Sequence, residues 1–368
     1  MPIAARQFLE KTLDNPFPGI PALERKLGRT IISRLSGNEA LPIYPGQWLR
    51  NYREEFLDRC REYPDPTAYS LRLALGRHKG VGIDEVLVDA GADSLIHLAL
   101  RTFTQAGDPV LCSTGTYPTF EYFARGQGLQ VRQMPYAGNG NQLRTDLPGL
   151  LAAAWDIRPK VLYLANPDNP TGHYHDEPTL QAFAQALPEE TLLLLDEAYL
   201  EFAVDDLHPV RLWPNTLRLR SFSKAYGLAG LRIGYALAPL PLLDYLMQAR
   251  IHYSVCGLSQ WLAEQALEDT SYRRQLREET LQLRERFLQH AEQAGLICLP
   301  CATNFVTLCM PSPEAANQLQ WTLLELGVSV SKPNTLNGQS LIRITLQPDI
   351  FVPQIARLIF ARHGRSLP

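Results

Sequence analysis

Between about residue 70 and residue 240, short β-branched or leucine-rich runs alternate with stretches whose apolar residues recur at helical spacing, and Gly or Pro marks many of the joins. Strands are expected at Val86-Leu87-Val88, Val110-Leu111-Cys112, Val161-Leu162-Tyr163-Leu164, Leu192 to Leu195, Leu217-Arg218-Leu219 and Ile233-Gly234-Tyr235-Ala236. Helical patterns cover Ser94 to Thr104, Phe120 to Gly126 and Thr179 to Ala186. That alternation predicts βαβ units wound around a mostly parallel sheet, an α/β fold. From Pro241 the pattern turns strongly helical, with a charged stretch from Glu264 to Gln293, followed by strand-like Phe305 to Leu308 and Leu341 to Leu346. A long helix leading into a smaller α+β domain is expected there. The Pro-rich run Asn15-Pro16-Phe17-Pro18-Gly19-Ile20-Pro21 forms no domain alone, so the division is an N-terminal arm (1–40), a large α/β domain (41–245) and a small domain (246–368).

Composition narrows the classes. At 368 residues there is room for two domains, and 45% hydrophobic with 20% charged residues disfavours disorder, collagen and a coiled coil. A net charge of −3 gives no positive field for nucleic acid or an anionic membrane, and the Arg362-His363-Gly364-Arg365 run is short enough for a solvated tail. Arg6, Glu10, Lys11 and Asp14 interrupt any signal-peptide core, and the greasiest stretches fall well short of about 20 residues, so no export signal or membrane span is expected. Six scattered cysteines suit a reducing cytoplasm, and Cys298-Leu299-Pro300-Cys301, lacking a second pair, reads as structural.

Four segments could carry chemistry. Asp196 ends the apolar run Leu192 to Leu195, where the ligand crevice of an open α/β sheet opens, although a strand-end acid also caps helices. In Asn166-Pro167-Asp168-Asn169-Pro170-Thr171-Gly172, two Asn-Pro pairs make a turn-rich loop able to aim the Asn169 amide. Ser221-Phe222-Ser223-Lys224, with glycines leading to Arg232, gathers two hydroxyls, an amine and a guanidinium suited to a phosphorylated cofactor. Asp89-Ala90-Gly91-Ala92-Asp93-Ser94 follows a strand and opens a helix, so its backbone N–H groups offer an anion seat, as any βα turn with Gly does. His173-Tyr174-His175 reads as a surface loop, and no metal is expected.

Together these segments resemble the fold-type I aminotransferases that use pyridoxal 5′-phosphate. Asn169-Pro170-Thr171-Gly172, Asp196 with Tyr199, Ser221-x-Ser223-Lys224 and Arg232 stand at matching spacings of 27, 28 and 8 residues between Asn169, Asp196, Lys224 and Arg232. With Glu62-Tyr63-Pro64-Asp65-Pro66, the chain is most similar to the histidinol-phosphate aminotransferase branch. The resemblance implies that Lys224 condenses with the cofactor aldehyde and later shuttles a proton, and that Asp196 pairs with the pyridine nitrogen. It gives Asn169 and Tyr199 to the ring's phenolic oxygen and Tyr117 to the ring face. The phosphate falls to the Ala92 and Asp93 amides, Ser221, Ser223 and Arg232, with the Asp93 carboxylate turned away to support the helix start. It also implies a homodimer with shared active sites, Tyr63 reaching the neighbour's phosphate and the arm packing on the small domain and the partner.

Arg343 matches the position that binds the substrate's acid group, and Asn38 begins the substrate-facing segment Asn38-Glu39-Ala40-Leu41-Pro42-Ile43, which lacks the family's second Asn and its Gly. Where relatives carry a further arginine for a substrate phosphate, Ser331 stands, with Lys332 one residue on. The expected activity is amino transfer between an amino acid or related amine and a 2-oxo acid. Two rivals are a decarboxylase of the threonine-phosphate type and a non-catalytic effector-binding module, the latter calling for a DNA-binding element not seen in residues 1–40.

Overall fold

The computed structural model describes residues 16–17, 19–43, 56, 59–204 and 209–361. The Arg362 to Arg365 run and the first fifteen residues lie outside the described residues. The strands are β1 Ser33–Leu35, β2 Val86–Asp89, β3 Pro109–Ser113, β4 Gln130–Met134, β5 Val161–Ala165, β6 Leu192–Asp196, β7 Thr216–Ser221, β8 Gly234–Leu237, β9 Ile297–Cys298, β10 Phe305–Met310, β11 Val328–Val330 and β12 Ser340–Thr345.

Seven strands form one sheet in the order β2-β8-β7-β6-β5-β3-β4, parallel except for β8, which runs antiparallel to both neighbours. Its inner strands, the two arginines of β7 apart, are largely apolar on both faces because helices cover both. On one face Leu87, Val110, Tyr163, Leu194 and Leu217 pack against helices Ala92–Phe103, Pro118–Gly126 and Leu240–Ala249. On the other, Leu162, Leu164, Leu193 and Leu195 meet helices Leu147–Ile157 and Glu177–Ala186, while Val86, Val88 and Tyr235 meet Tyr69–Lys79 and Gly257–Glu268. This is the expected α/β architecture.

Between those two clusters β7 turns Arg218 and Arg220 inward, each about 2% exposed, onto the fully buried Glu197. Arg218 Nη2 donates to Glu197 Oε1 at 2.6 Å and Arg220 Nε donates to Oε2 at 2.7 Å. The arginines hold the Glu197 carboxyl below its ordinary value against the opposing effect of burial. A buried charge without such partners is strongly destabilising.

The charged stretch forms two helices rather than one, Gly257–Glu268 and Thr270–Gln293. Asp269 makes the break, its side chain accepting from Tyr272 N at 3.0 Å as the N-cap of the second. Gly257–Glu268 and the first residues of Thr270–Gln293 pack on the large sheet's core, and Phe287 and Ala291 reach the small domain's. There β12-β10-β9 form an antiparallel sheet beside the parallel pair β1-β11, joined through a Ser331–Arg343 bridge. The arm thus threads its strand into the small domain. His173 and His175 are half-buried, not on the surface, because the Asn166 side chain clamps the loop: its Oδ1 accepts from His175 N at 2.7 Å. Burial pushes the Cys298 thiol up to about 12 and raises Cys301, which leaves both poor nucleophiles.

Candidate active site

The carboxyl ends of the parallel strands open onto a cavity of about 890 Å³ roofed by the arm and the small domain. Its lining includes Asn38, Ala92, Asp93, Tyr117, Asn169, Asp196, Tyr199, Ser221, Ser223, Lys224, Arg232 and Arg343, twelve of the thirteen residues singled out from the sequence.

One end is built to hold an anion. After β2 the chain turns at Gly91, whose φ of +88° suits glycine, and a Cβ there would lie 2.9 Å from Arg232 Nη2. A Cβ on Gly234 would meet Ala92 N at 2.9 Å, so both glycines keep open a concavity at the N-terminus of helix Ala92–Phe103. Ser221 Oγ accepts from Ser223 N at 3.1 Å, and Ser223 Oγ accepts from Arg232 Nη1 at 3.4 Å. First-turn amides, two hydroxyls and a guanidinium make a donor set for a dianion. The Asp93 carboxylate does not turn away as expected. Its Oδ1 accepts from the Tyr117 hydroxyl at 2.9 Å and its Oδ2 from Arg232 Nη2 at 3.5 Å, because those donors complement it better than its own helix does. Asp89 supports the helix entry instead, accepting from Ala90 N and Ser94 Oγ.

At the floor lies Asp196, buried. Its Oδ2 accepts from the Tyr163 hydroxyl at 2.8 Å and its Oδ1 from Ala198 N at 3.1 Å. Burial, with Asp93 and Glu197 adding to it, pushes this carboxyl up to about 6, while those two hydrogen bonds pull the other way. Lys224 enters the same cavity, its Nζ donating to the Asn38 carbonyl at 3.0 Å and the Gly37 carbonyl at 3.3 Å. Asn38 takes a φ of +50° and donates its Nδ2 to the Tyr199 hydroxyl at 2.9 Å, with Oδ1 accepting from Thr345 Oγ1. Its side chain therefore orients Tyr199. Tyr117 lines one wall with Phe17 of the arm stacked on it, ring centroids 5.6 Å apart.

The far end carries the buried Arg343, which donates from Nη1 to Asn169 Oδ1 at 2.5 Å and from Nη2 to the Ser36 carbonyl at 2.9 Å. Ser331 and Lys332 both line the rim, the latter donating to Asn317 Oδ1 at 2.6 Å. Asp168, buried beneath the Asn169 loop, accepts from the Tyr136 hydroxyl and from Thr171, which fixes that loop. Tyr63 stands apart from the cavity, 87% exposed against Tyr253.

Sequence reasoning missed Tyr163, Tyr136 and the Glu197–Arg218–Arg220 cluster. A tyrosine or an arginine alternating with leucine in an otherwise apolar strand was the available signal, since a buried polar tip needs a partner.

The class I and II aminotransferase family model matches residues 45–359. Histidinol-phosphate aminotransferase 2 of Carboxydothermus hydrogenoformans is 32% identical over 351 residues, covering 92% of this chain and 94% of that protein. The histidinol-phosphate aminotransferase of an Anaeromyxobacter species is 33% identical over 352 residues, 94% and 95% of the two chains. Among solved structures, histidinol-phosphate aminotransferase from Sinorhizobium meliloti in complex with pyridoxal-5′-phosphate superposes with a TM-score of 0.87 at 36% identity, covering 97% of this chain and 99% of that one. N-succinyldiaminopimelate aminotransferase from Mycobacterium tuberculosis, at 21% identity and a TM-score of 0.81, shares the fold.

Proposed function

Because this chain belongs to the class I and II aminotransferases, we propose that it is a pyridoxal 5′-phosphate enzyme of the histidinol-phosphate aminotransferase type, moving an amino group between a primary amine and a 2-oxo acid. The observation that carries this reading is one cavity holding an amine (Lys224), a buried carboxylate (Asp196) and an anion cradle (Ala92, Ser221, Ser223, Arg232). The residues fit that cofactor: two glycines leave room where a Cβ would collide with the cradle, and Asp196 is a buried anion in want of a cation.

When bound, pyridoxal phosphate supplies an aldehyde with which amines condense and a ring that accepts the electron pair left when a substrate carbon loses its proton. Everything else falls to the chain. Lys224 Nζ anchors and then acts as the base that carries a proton to and from the substrate carbon. The Asp196 carboxylate holds a proton at the ring nitrogen. Tyr199, oriented by Asn38, and the Asn169 amide, braced by Arg343, would hold the ring oxygen. Tyr117 would pack on the ring, and Arg343 would bind the carboxylate of an amino acid or its oxo partner, a role its guanidinium fork suits. Lys332 beside Ser331 offers the rim a second cation, which suits a substrate bearing a further anionic group.

We also infer a homodimer in which Tyr63, exposed and remote from its own cavity, completes the partner's phosphate seat. The free thiols suit the cytoplasm. No described helix is long and apolar enough to cross a membrane.

The test is spectral. The purified holoenzyme is mixed with amines and amino acids, among them glutamate and histidinol phosphate, and the visible absorption of the cofactor is followed with assays for oxo acid and carbon dioxide. Conversion to the amine form of the cofactor with stoichiometric oxo acid supports the reading. Carbon dioxide release without oxo acid, or no spectral change with any amine, overturns it.

A further inference from the structure

Tyr163 is a tyrosine in a strand whose other positions are aliphatic, and packing alone does not require its hydroxyl. Its ring is 1% exposed and lies on Phe120 with centroids 4.8 Å apart and planes 17° from parallel, a site that phenylalanine would fill equally well. Strands β5 and β6 are in register, Ala165 opposite Asp196 and Tyr163 opposite Leu194, so the phenol reaches diagonally along one face of the sheet to the acid two positions further on. The hydroxyl ends 2.8 Å from Asp196 Oδ2.

We propose that Tyr163 is a positioning residue for the reaction: by donating to Asp196 Oδ2 it keeps that carboxylate ionised and aimed, so that the proton between Asp196 and the cofactor rests on the ring nitrogen. This rests on the reading that the ring nitrogen meets Asp196. The surroundings make such a device necessary. Burial opposes the negative charge on Asp196, and Asp93 on the first turn of helix Ala92–Phe103 and Glu197, next in the chain, add to it. Burial and Asp196 itself, with smaller contributions from Tyr117 ahead of helix Pro118–Gly126 and Asp168 on the loop after β5, hold the Tyr163 phenol protonated, which keeps it a donor. Lys224 and Tyr199 complete the ring of titratable groups on the cavity wall. Beyond Tyr163, the only other donor to the Asp196 carboxylate among the described residues is Ala198 N. With the phenol removed, the acid becomes the better home for the proton and the ring becomes a weaker acceptor of electrons.

The experiment loads the intact protein with pyridoxal phosphate labelled with nitrogen-15 at the ring and records that resonance against pH, with kcat and KM for one amine, in wild type, Tyr163→Phe and Asp196→Asn. The expected result for Tyr163→Phe is a resonance displaced toward unprotonated nitrogen, a kcat lower by roughly tenfold or more, as loss of a hydrogen bond to a charged group would give, and a KM little changed. A Tyr163→Phe resonance identical to wild type, with Asp196→Asn displaced, overturns the proposal. If Asp196→Asn is not displaced either, the placement of the ring nitrogen itself fails. Should Tyr163→Phe not fold, a ring-fluorinated tyrosine at position 163 keeps the shape and strengthens the donor. The proton must then stay on nitrogen to higher pH than in wild type, and the opposite displacement refutes the role.

Discussion

Replacing Asp196 by Asn is predicted to stabilise the cofactor-free protein while destroying its chemistry. Burial first, then Asp93 and Glu197, raise this carboxyl from an ordinary 3.8 to about 6. The native state therefore binds the proton more tightly than the unfolded chain does. Below 3.8 both states are protonated and the group costs nothing; above about 6 both are ionised and the cost is complete. A difference of that size corresponds to roughly 3 kcal/mol. Asparagine keeps an oxygen to accept from Ala198 N, turns its Nδ2 as a donor toward the Tyr163 hydroxyl oxygen, and carries no charge. Denaturant unfolding of the two apoproteins, with the difference between them plotted against pH, isolates the group from all others that titrate in parallel. The variant's advantage should grow from near zero at the acid end to a plateau of roughly 3 kcal/mol above pH 6, the window set by the two pKa values. A flat difference, or a less stable variant at neutral pH, would refute the idea that the pocket floor holds an uncompensated anion. Adding cofactor should reverse the order, since the ring then gives wild type the missing cation.

Arg343→Gln removes the buried cation at the far end, so KM for an amino acid should rise by roughly ten- to a hundredfold with a smaller change in kcat, read by steady-state kinetics; an unchanged KM would remove Arg343 from substrate binding. Glu197→Ala leaves Arg218 and Arg220 buried beside a lost carboxylate and should cost about 3–5 kcal/mol in unfolding experiments, against well under half that if the cluster is hydrated. Ser331→Arg adds a guanidinium to the rim and should raise kcat/KM for histidinol phosphate over its dephosphorylated form by about tenfold or more; an unaltered ratio would count against Ser331 as the rim position that faces a substrate phosphate.

What could be read from the residues follows from where each kind of signal resides. Asn169, Asp196, Lys224 and Arg232 were legible from local signals, since Asn169 follows a strand on a Pro-rich turn, Asp196 ends an apolar strand, and Lys224 and Arg232 flank Gly227 and Gly230 after β7; the structure brings all four to one cavity. The alternation of strands and helices was legible for the same reason, as hydrophobic period and turn residues are local. The failures concern direction and distant partners. Whether the Asp93 carboxylate points inward depends on Arg232, 139 residues away. The Glu197–Arg218–Arg220 cluster hides because two charged side chains interrupt β7 and their anion follows a different strand. The reversal of β8 and the pairing of Ser33–Leu35 with Val328–Val330 are set by tertiary packing that no short window contains. Asp269 was a cap in plain sight, masked by helix formers on both sides.

Borohydride treatment of the cofactor-loaded protein, followed by digestion and mass analysis of the peptide that carries the reduced cofactor, locates the lysine that holds the aldehyde. A single modified site is expected, Lys224, which lines the cavity with Asp196, with no modification in Lys224→Ala. Cofactor fixed on a different lysine, or none fixed at all in an active preparation, would contradict it.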